Sequence, residues 1–389
     1  MKTRYLGAIT IVLVSMFSIS CGGTQKPTHE STDMVSTSPE PTDIVSTLPE
    51  SESSPPLLPN MLVRAEGQVW LRRSGWIDFI PVGFGVTVEP GDMLRVGEGH
   101  SAAVFCGEET MWDEAPQDLP ADGLEHGVPC QIGRPPRPWS DVVALRSESE
   151  DNVPYVLRPR DTSLINQTPS LYLHTLPDIE SYTISLISDD GQERPPVEID
   201  GGETAWPSDW SPMEAGATYV LVVNADGRAS DQSDKGHTGL GFWLLDSEDI
   251  EEVAAKEEQL RASSMSPKAK ILLVAELYNA YGLSSEAIEL LEDLISHEES
   301  PTVWLALGKL YLESGLSTEA SEAFKLALAM AEMSGQQEMA AHAFVGLAMA
   351  YRLTDQETEA QSNLESAGEI YLLIGDQDGV LQVDELISR

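Results

Sequence analysis

The sequence predicts a multidomain β plus α chain, β-rich through its first half and all-α over its last third. From Met61 to about Leu245, short apolar runs alternate with polar residues and are broken by Gly, Pro, Asn and Asp, which is the pattern of strands and turns. Near Ser247 the apolar spacing changes to three and four and stays so to the end, which is the pattern of helices. Among those helices a single turn is written repeatedly. "ESGLSTEA" (313–320) has a near copy in "AYGLSSEA" (280–287) and a blurred one in "LTDQETEA" (353–360), the mark of repeated helical hairpins.

Taken in order, residues 1–20 read as a signal peptide. Lys2 and Arg4 precede the apolar run "LGAITIVLVSMF", and small residues lead into "SISCGG". The run is short for a membrane span, which needs about 20 apolar residues. Cys21 follows directly and resembles the lipobox cysteine of bacterial lipoproteins, with Ser18 where that family usually has Leu. The resemblance implies a diacylated, palmitate-bearing Cys21 and an exported protein held to the membrane of a bacterial cell envelope, on its periplasmic face or at the cell surface. Ser18 and Ser20 equally suit ordinary signal cleavage and a secreted chain. Residues 21–58 are Ser, Thr, Pro and Glu, with the duplication "TDMVSTSPEP", "TDIVSTLPES". Such a composition cannot bury enough surface to offset chain entropy, so it reads as a disordered tether.

The chain carries 23 Lys and Arg against 64 Asp and Glu, a formal charge of −41, which sets it against a phosphate backbone and excludes nucleic acid as a partner. Besides Cys21 there are two cysteines, Cys106 and Cys130, and an exported chain meets an oxidising compartment. A disulfide closing that loop of about 24 residues would stabilise the fold by roughly 3 kcal/mol. The alternative is two buried free thiols.

Residues 59–141 contain "GQVWLRR" and "VEPGDMLRVGEGHSAAVF", in which Gly91 and Asp92 make a turn before a strand, a glycine turn and another strand. This order resembles the FecR-type extracytoplasmic β-domain, which implies a small β-sandwich or β-solenoid-like fold and no catalysis. "GEGHSA" (97–102) matches the dinucleotide fingerprint by letter, but that fingerprint needs a helix starting on its glycines, and "SAAVFC" reads as a strand. Residues 142–246 carry the strand candidates "YVLRP", "SLYLHTL", "SYTISLIS", "TYVLVVNA" and "GLGFWLL", whose spacing predicts an immunoglobulin-like or fibronectin-like β-sandwich. "RPRDTSLINQTPSLYLHTL" in that stretch resembles domains that accompany FecR-type modules in exported bacterial proteins. "NADGRASDQSD" (224–234) has oxygen ligands around a glycine but not the spacing of a calcium loop, so it reads as a hairpin turn.

From 247 to 389 the helices carry "WLALGKLYLESGLSTEASEAFKLAL", in which Trp304, Leu307, Gly308 and Tyr311 fall on one helix and Ala320, Phe324 and Ala327 on the next. This resembles the tetratricopeptide (TPR) pattern, with Glu332 where that family ends its second helix on proline. Repeats are expected near 268–300, 301–340 and 341–374, forming a solenoid. The resemblance implies a concave groove on the first helices, which by position would hold Leu272, Glu276, Asn279, Leu305, Lys309, Leu312, Val345, Met349 and Arg352 and receive an apolar or amphipathic segment of another protein. The other reading of those side chains is packing against the second β-domain or the closing helix.

For catalysis the sequence offers little. Its seven histidines make no H-E-x-x-H, and neither G-x-S-x-G nor a phosphate loop is present, so no cofactor, metal site or catalytic residue is expected. The expectation is a non-enzymatic exported lipoprotein that scaffolds or assembles envelope proteins through its TPR groove. Two alternatives are a FecR-type sensing role and binding of cell-wall polysaccharide, the latter on the β-domains, where Trp70, Trp76, Trp206 or Trp210 would stack on sugar rings.

Overall fold

The computed structural model describes residues 58–107, 116–132, 153–230, 241–297 and 300–388. All of them belong to one compact unit, Ser53–Arg389. The signal peptide, Cys21 and nearly all of the tether lie outside the described residues.

The first β-module has two sheets. In one, β1 (Met61–Glu66) pairs with β5 (Ser101–Phe105), which pairs with β6 (Gln117–Asp118). The other has the order β3-β2-β4-β7, from Ile80–Pro81, Val69–Arg72, Met93–Val96 and Glu125–Gly127. Alternation decides what faces inward: Val69 and Leu71 on β2 oppose Val96 and Leu94 on β4, and all four are buried. Gly91 turns the chain into β4 at a φ of 98°, where a side chain would be strained. The Ser101–Phe105 stretch after "GEGH" is a strand, as its alternation predicts. Cys106 and Cys130 form a disulfide at the edge of this core.

The second β-module also has two sheets. One has the order β13-β10-β8, from Glu203–Thr204, Leu171–His174 and Tyr155–Arg158. The other runs β12-β11-β14-β16-β9, from Val197–Ile199, Tyr182–Ser188, Thr218–Ala225, Phe242–Leu244 and Thr162–Leu164. In it β9 lies parallel to β16, and β15 (Arg228–Ala229) closes a hairpin on β14. Leu171 and Leu173 from the first sheet share a core with Tyr182, Ile184, Val223 and Phe242 from the second. Tyr219, near the start of β14, accepts the Glu214 N–H on its hydroxyl oxygen at 3.0 Å.

Eight helices follow among the described residues: α1 Ser247–Ala262, α2 Pro267–Ala280, α3 Ser284–His297, α4 Pro301–Glu313, α5 Ser317–Ser334, α6 Gln337–Leu353, α7 Glu357–Ile374 and α8 Gln377–Ser388. Asp246 caps α1 by accepting the N–H of Glu248 and Asp249, and Ser266 caps α2 with Pro267 at its first position. Each helix packs on its neighbour in sequence, so α2/α3, α4/α5 and α6/α7 form hairpins, the third of which starts at Gln337, a few residues before the 341 expected for its repeat. Helices α5 and α7 end on Gly335 and Gly375 in the left-handed conformation.

Phe324, fully buried on α5, sets the approach of these helices. A Cβ added to Gly308 on α4 would lie 2.6 Å from its ring, and one added to Gly346 on α6 would lie 2.5 Å away. The TPR pattern identifies Gly308 but not Gly346. Alanine at a helical glycine normally gains about 1 kcal/mol of propensity. Here overpacking prevails, and Gly346→Ala is expected to lower stability by about 1–3 kcal/mol. A urea midpoint equal to or above that of the wild type would refute this account.

Candidate functional site

The apolar face of the first helices is covered by this chain. The segment Val82–Val86, "VGFGV", lies against α2, α4 and the cap residue of α6. Its Gly85 backbone is so close to α2 and α4 that an added Cβ would meet Thr302 at 2.8 Å and Leu272 at 3.0 Å, and one on Gly83 would meet Gln336 at 3.0 Å. Backbone bonds from Gly85 to Leu62 and from Leu62 to Val86 tie the segment to β1. Phe84 shares a buried cluster with Leu272, Val274 and Val303, with the Lys268 ammonium 4.7 Å from its ring centre. A second cluster joins Leu71, Trp76 and Val82 of the first β-module to Leu305, Leu312 and Val345.

The nine groove positions named from the sequence therefore divide. Leu272, Leu305, Leu312 and Val345 are buried, and Met349 packs partly buried on the same core. Leu272 meets the Gly85 backbone, and Leu305, Leu312, Val345 and Met349 belong to a cluster that includes Leu71, Trp76 and Val82 of the first β-module and Val383 and Leu386 of the closing helix. Asn279 is exposed and Arg352 pairs with Glu357 at 3.1 Å. Burial lowers the pKa of Lys309 against the opposing pull of Glu276 and Glu313. The residues named for TPR packing take core positions: Leu307, Gly308, Ala320, Phe324 and Ala327 are buried, and Trp304 and Tyr311 are half-buried around them. An apolar helix face specifies burial without specifying what covers it.

An ionic cleft borders this contact. Arg73 on the first β-module donates to Glu338 on α6 at 2.5 Å and to Asp92 at 3.0 Å, and all three side chains are largely buried. Burial opposes the charge on Arg73, but Glu338 and then Asp92 outweigh it and hold its pKa above the ordinary value. Burial raises the pKa of Asp92, partly offset by Arg73. Burial also drives His342 well below its usual pKa, helped by Lys309 and Arg73, so its imidazole is neutral beside the Tyr371 ring. The cleft has a volume of about 620 Å³. Among the described residues, no group of His, Cys, Asp and Glu is placed to hold a metal ion, and no helix is long and apolar enough to cross a membrane.

The second β-module meets the helices through polar bonds to the repeated turns and through Ile165 and Leu245, which pack on the helical cluster. At "GLSSEA", the Ser163 N–H donates to the Gly282 carbonyl, the Ser285 N–H to Thr162 Oγ1, and the Ile165 N–H to Glu286 Oε1. At "ESGLSTEA", Arg160 donates to the Ser314 carbonyl and Tyr155 to Glu319. Arg158 bonds Glu292, which also accepts from Tyr311. The two turns that the sequence marks as links between paired helices thus also serve as docking points. Of the tryptophans considered for sugar stacking, Trp76 and Trp210 are core residues. Trp70 carries the Arg95 guanidinium 4.8 Å from its ring, and Trp206 packs edge-on against Trp210.

Sequence reasoning missed Arg73, Glu338, His342 and Glu286. Arg73 and Glu338 stand 265 residues apart with no local pattern to link them.

No protein-family model matches the chain, and no curated protein matches it. Among solved structures, BtubC (BKLC) of P. vanneervenii is similar at 22% identity over 35% of this chain, with a TM-score of 0.26, and only 54% of that protein is spanned. MamA is similar at 18% identity over 36% of this chain and 91% of its own, with a TM-score of 0.25. A Podosopora anserina protein of kinesin-light-chain type with nearly identical TPR-like repeats is similar at 20% over 36% of this chain and 87% of its own, with a TM-score of 0.27. Likenesses at these scores establish neither fold nor partner.

Two measurements check the junctions. Phe84→Ala is expected to cost about 3 kcal/mol, seen as a lower urea midpoint for the β and helical signals together; a β signal that melts alone would contradict the shared core. Burial raises the pKa of Glu286 from 4.5 to about 7. The folded chain thus keeps a proton that the unfolded chain releases at lower pH, so this carboxyl's contribution falls as pH rises from about 4.5 to about 7. Glu286→Gln is expected to raise stability by about 1–3 kcal/mol at pH 8 and to change it little at pH 4.5. Equal effects at both pH values would rule this out.

Proposed function

We propose that this chain is a non-enzymatic, lipid-anchored scaffold of a bacterial cell envelope, exported by residues 1–20 and attached through Cys21. In this reading it binds another protein with surfaces other than the apolar face of its first helices. The observation that carries it is the Val82–Val86 segment seated on α2 and α4. The helices hold an extended apolar segment, as tetratricopeptide-type repeats do, but the segment belongs to the chain itself. The helical part then serves as a clamp that fixes two β-modules in one body, and partner contact falls to what remains outside. Exposed apolar side chains at the ends of the second helices, Met333 on α5 and Leu372 and Leu373 on α7, fit that role.

Further support comes from the β-modules. The Cys106 to Cys130 disulfide suits an oxidising compartment. A FecR-type first module fits the order of turns and strands around Gly91 and Asp92. An immunoglobulin-like second module fits its two-sheet core, the parallel β9/β16 pair and the Tyr219 hydroxyl tied back to the Glu214 N–H.

Labelled palmitate is expected to enter the wild-type chain and not Cys21→Ala. With photo-crosslinking side chains at Met333 and Leu373, the native protein in its envelope is expected to capture the same protein in independent preparations. A chain that takes up no palmitate and crosslinks to nothing defeats the scaffold reading.

A further inference from the structure

The ionic cleft between the first β-module and α4, α6, α7 and α8 is lined by two basic side chains, Arg73 and Lys309, and by six carboxylates. Arg73 serves both Asp92 and Glu338. Glu338 is 3% exposed and lines the cleft, yet its Oε2 has no hydrogen-bond partner among the described residues. A buried carboxylate oxygen left in this condition carries an unrecovered desolvation cost, which positive charge brought into the cleft would offset through space. Asp376, Asp378 and Glu385 add further carboxylates to the same lining, and the last two are exposed at its mouth. The volume of about 620 Å³ is in the range that receives organic groups of side-chain size or larger.

Apolar surface adjoins these charges. Leu381 lines the cleft and is 65% exposed. Ile77, 77% exposed, lies beside Gly375, one residue before Asp376, where an added Cβ would be 3.3 Å away. A free amine would use the carboxylates and leave these two side chains in water. A protein segment with a basic residue next to an apolar one would engage both.

Building on the scaffold reading, we infer that this cleft docks a partner protein through a lysine or arginine flanked by an apolar residue. The cation enters toward Glu338 and the mouth carboxylates, and its apolar neighbour lies on Ile77 and Leu381.

The full chain in detergent, titrated with a fluorescent peptide carrying one lysine between two leucines, is expected to bind it with an affinity that weakens as salt rises. The same peptide with acetyl-lysine is expected to bind about ten-fold more weakly or worse, and Glu338→Gln to cause a similar loss. Because Glu338 also holds Arg73, a second variant, Asp378→Asn with Glu385→Gln, keeps the buried pair. It should weaken the lysine peptide several-fold with an unchanged melting temperature. Leu381→Ser should weaken the peptide but leave the binding of 1,5-diaminopentane unchanged. The inference is overturned if acetylation changes nothing, if the wild-type chain binds no lysine peptide, or if diaminopentane binds as tightly as the peptide. A native partner whose crosslinks map away from the cleft also ends it while leaving the scaffold reading intact, whereas no crosslinked partner at all ends both.

Discussion

Burial of Phe84 and its neighbours against α2 and α4 is the contact on which the rest of this structure depends. It is an apolar contact made at very short range, which Gly83 and Gly85 permit because they carry no side chain where the backbone meets Gln336, Thr302 and Leu272. Once the segment is seated, the inward residues of the first β-module and those of the helical hairpins make continuous clusters, not separate cores. Apolar burial is non-directional and roughly proportional to area, so a continuous core makes the module and the helices stable together and leaves neither with a complete core alone.

The second β-module is held by a mixture of forces. Its own core is self-contained, and its contact with the helices joins directional bonds from residues 155–165 to the packing of Ile165 and Leu245 on the helical cluster. Directional bonds fix register and orientation but contribute only about 1 kcal/mol each on balance, more when one partner is charged. The chain thus combines one junction built on a shared apolar core with another that adds polar bonds to a smaller apolar contact. Glu286 lies at the second junction, where burial of a carboxyl makes the contact weaken as pH rises from about 4.5 to about 7.

Much of the fold is legible in the sequence. Alternation marks the strands, spacing of three and four marks the helices, and the copied turns mark the hairpin boundaries at Gly282 and Gly315. Trp304, Tyr311 and Phe324 stand out as packing residues because large side chains beside a small Gly308 fill the space it leaves. The candidate site is far less legible. Leu272, Leu305 and Val345 form an apolar row on the first helices that the sequence does reveal, but the pattern assigns the row to a partner, and the chain's own "VGFGV" covers it. The cleft has no sequence signal, since Arg73 and Glu338 lie on elements that only the folded chain brings together.

What the sequence determined by itself is local: the period of each element, the turns between paired helices, the acidic balance and the two cysteines able to pair. These follow from backbone sterics and side-chain periodicity, which act over a few residues. The tertiary structure decided what lies on what, namely that a β-module segment covers the apolar face of the first helices, that the repeated turns dock a second module, and that one arginine must serve two buried carboxylates. Periodicity reveals that a face must be covered, but the choice of cover depends on shape and distance between residues hundreds of positions apart, and those exist only once the chain has folded.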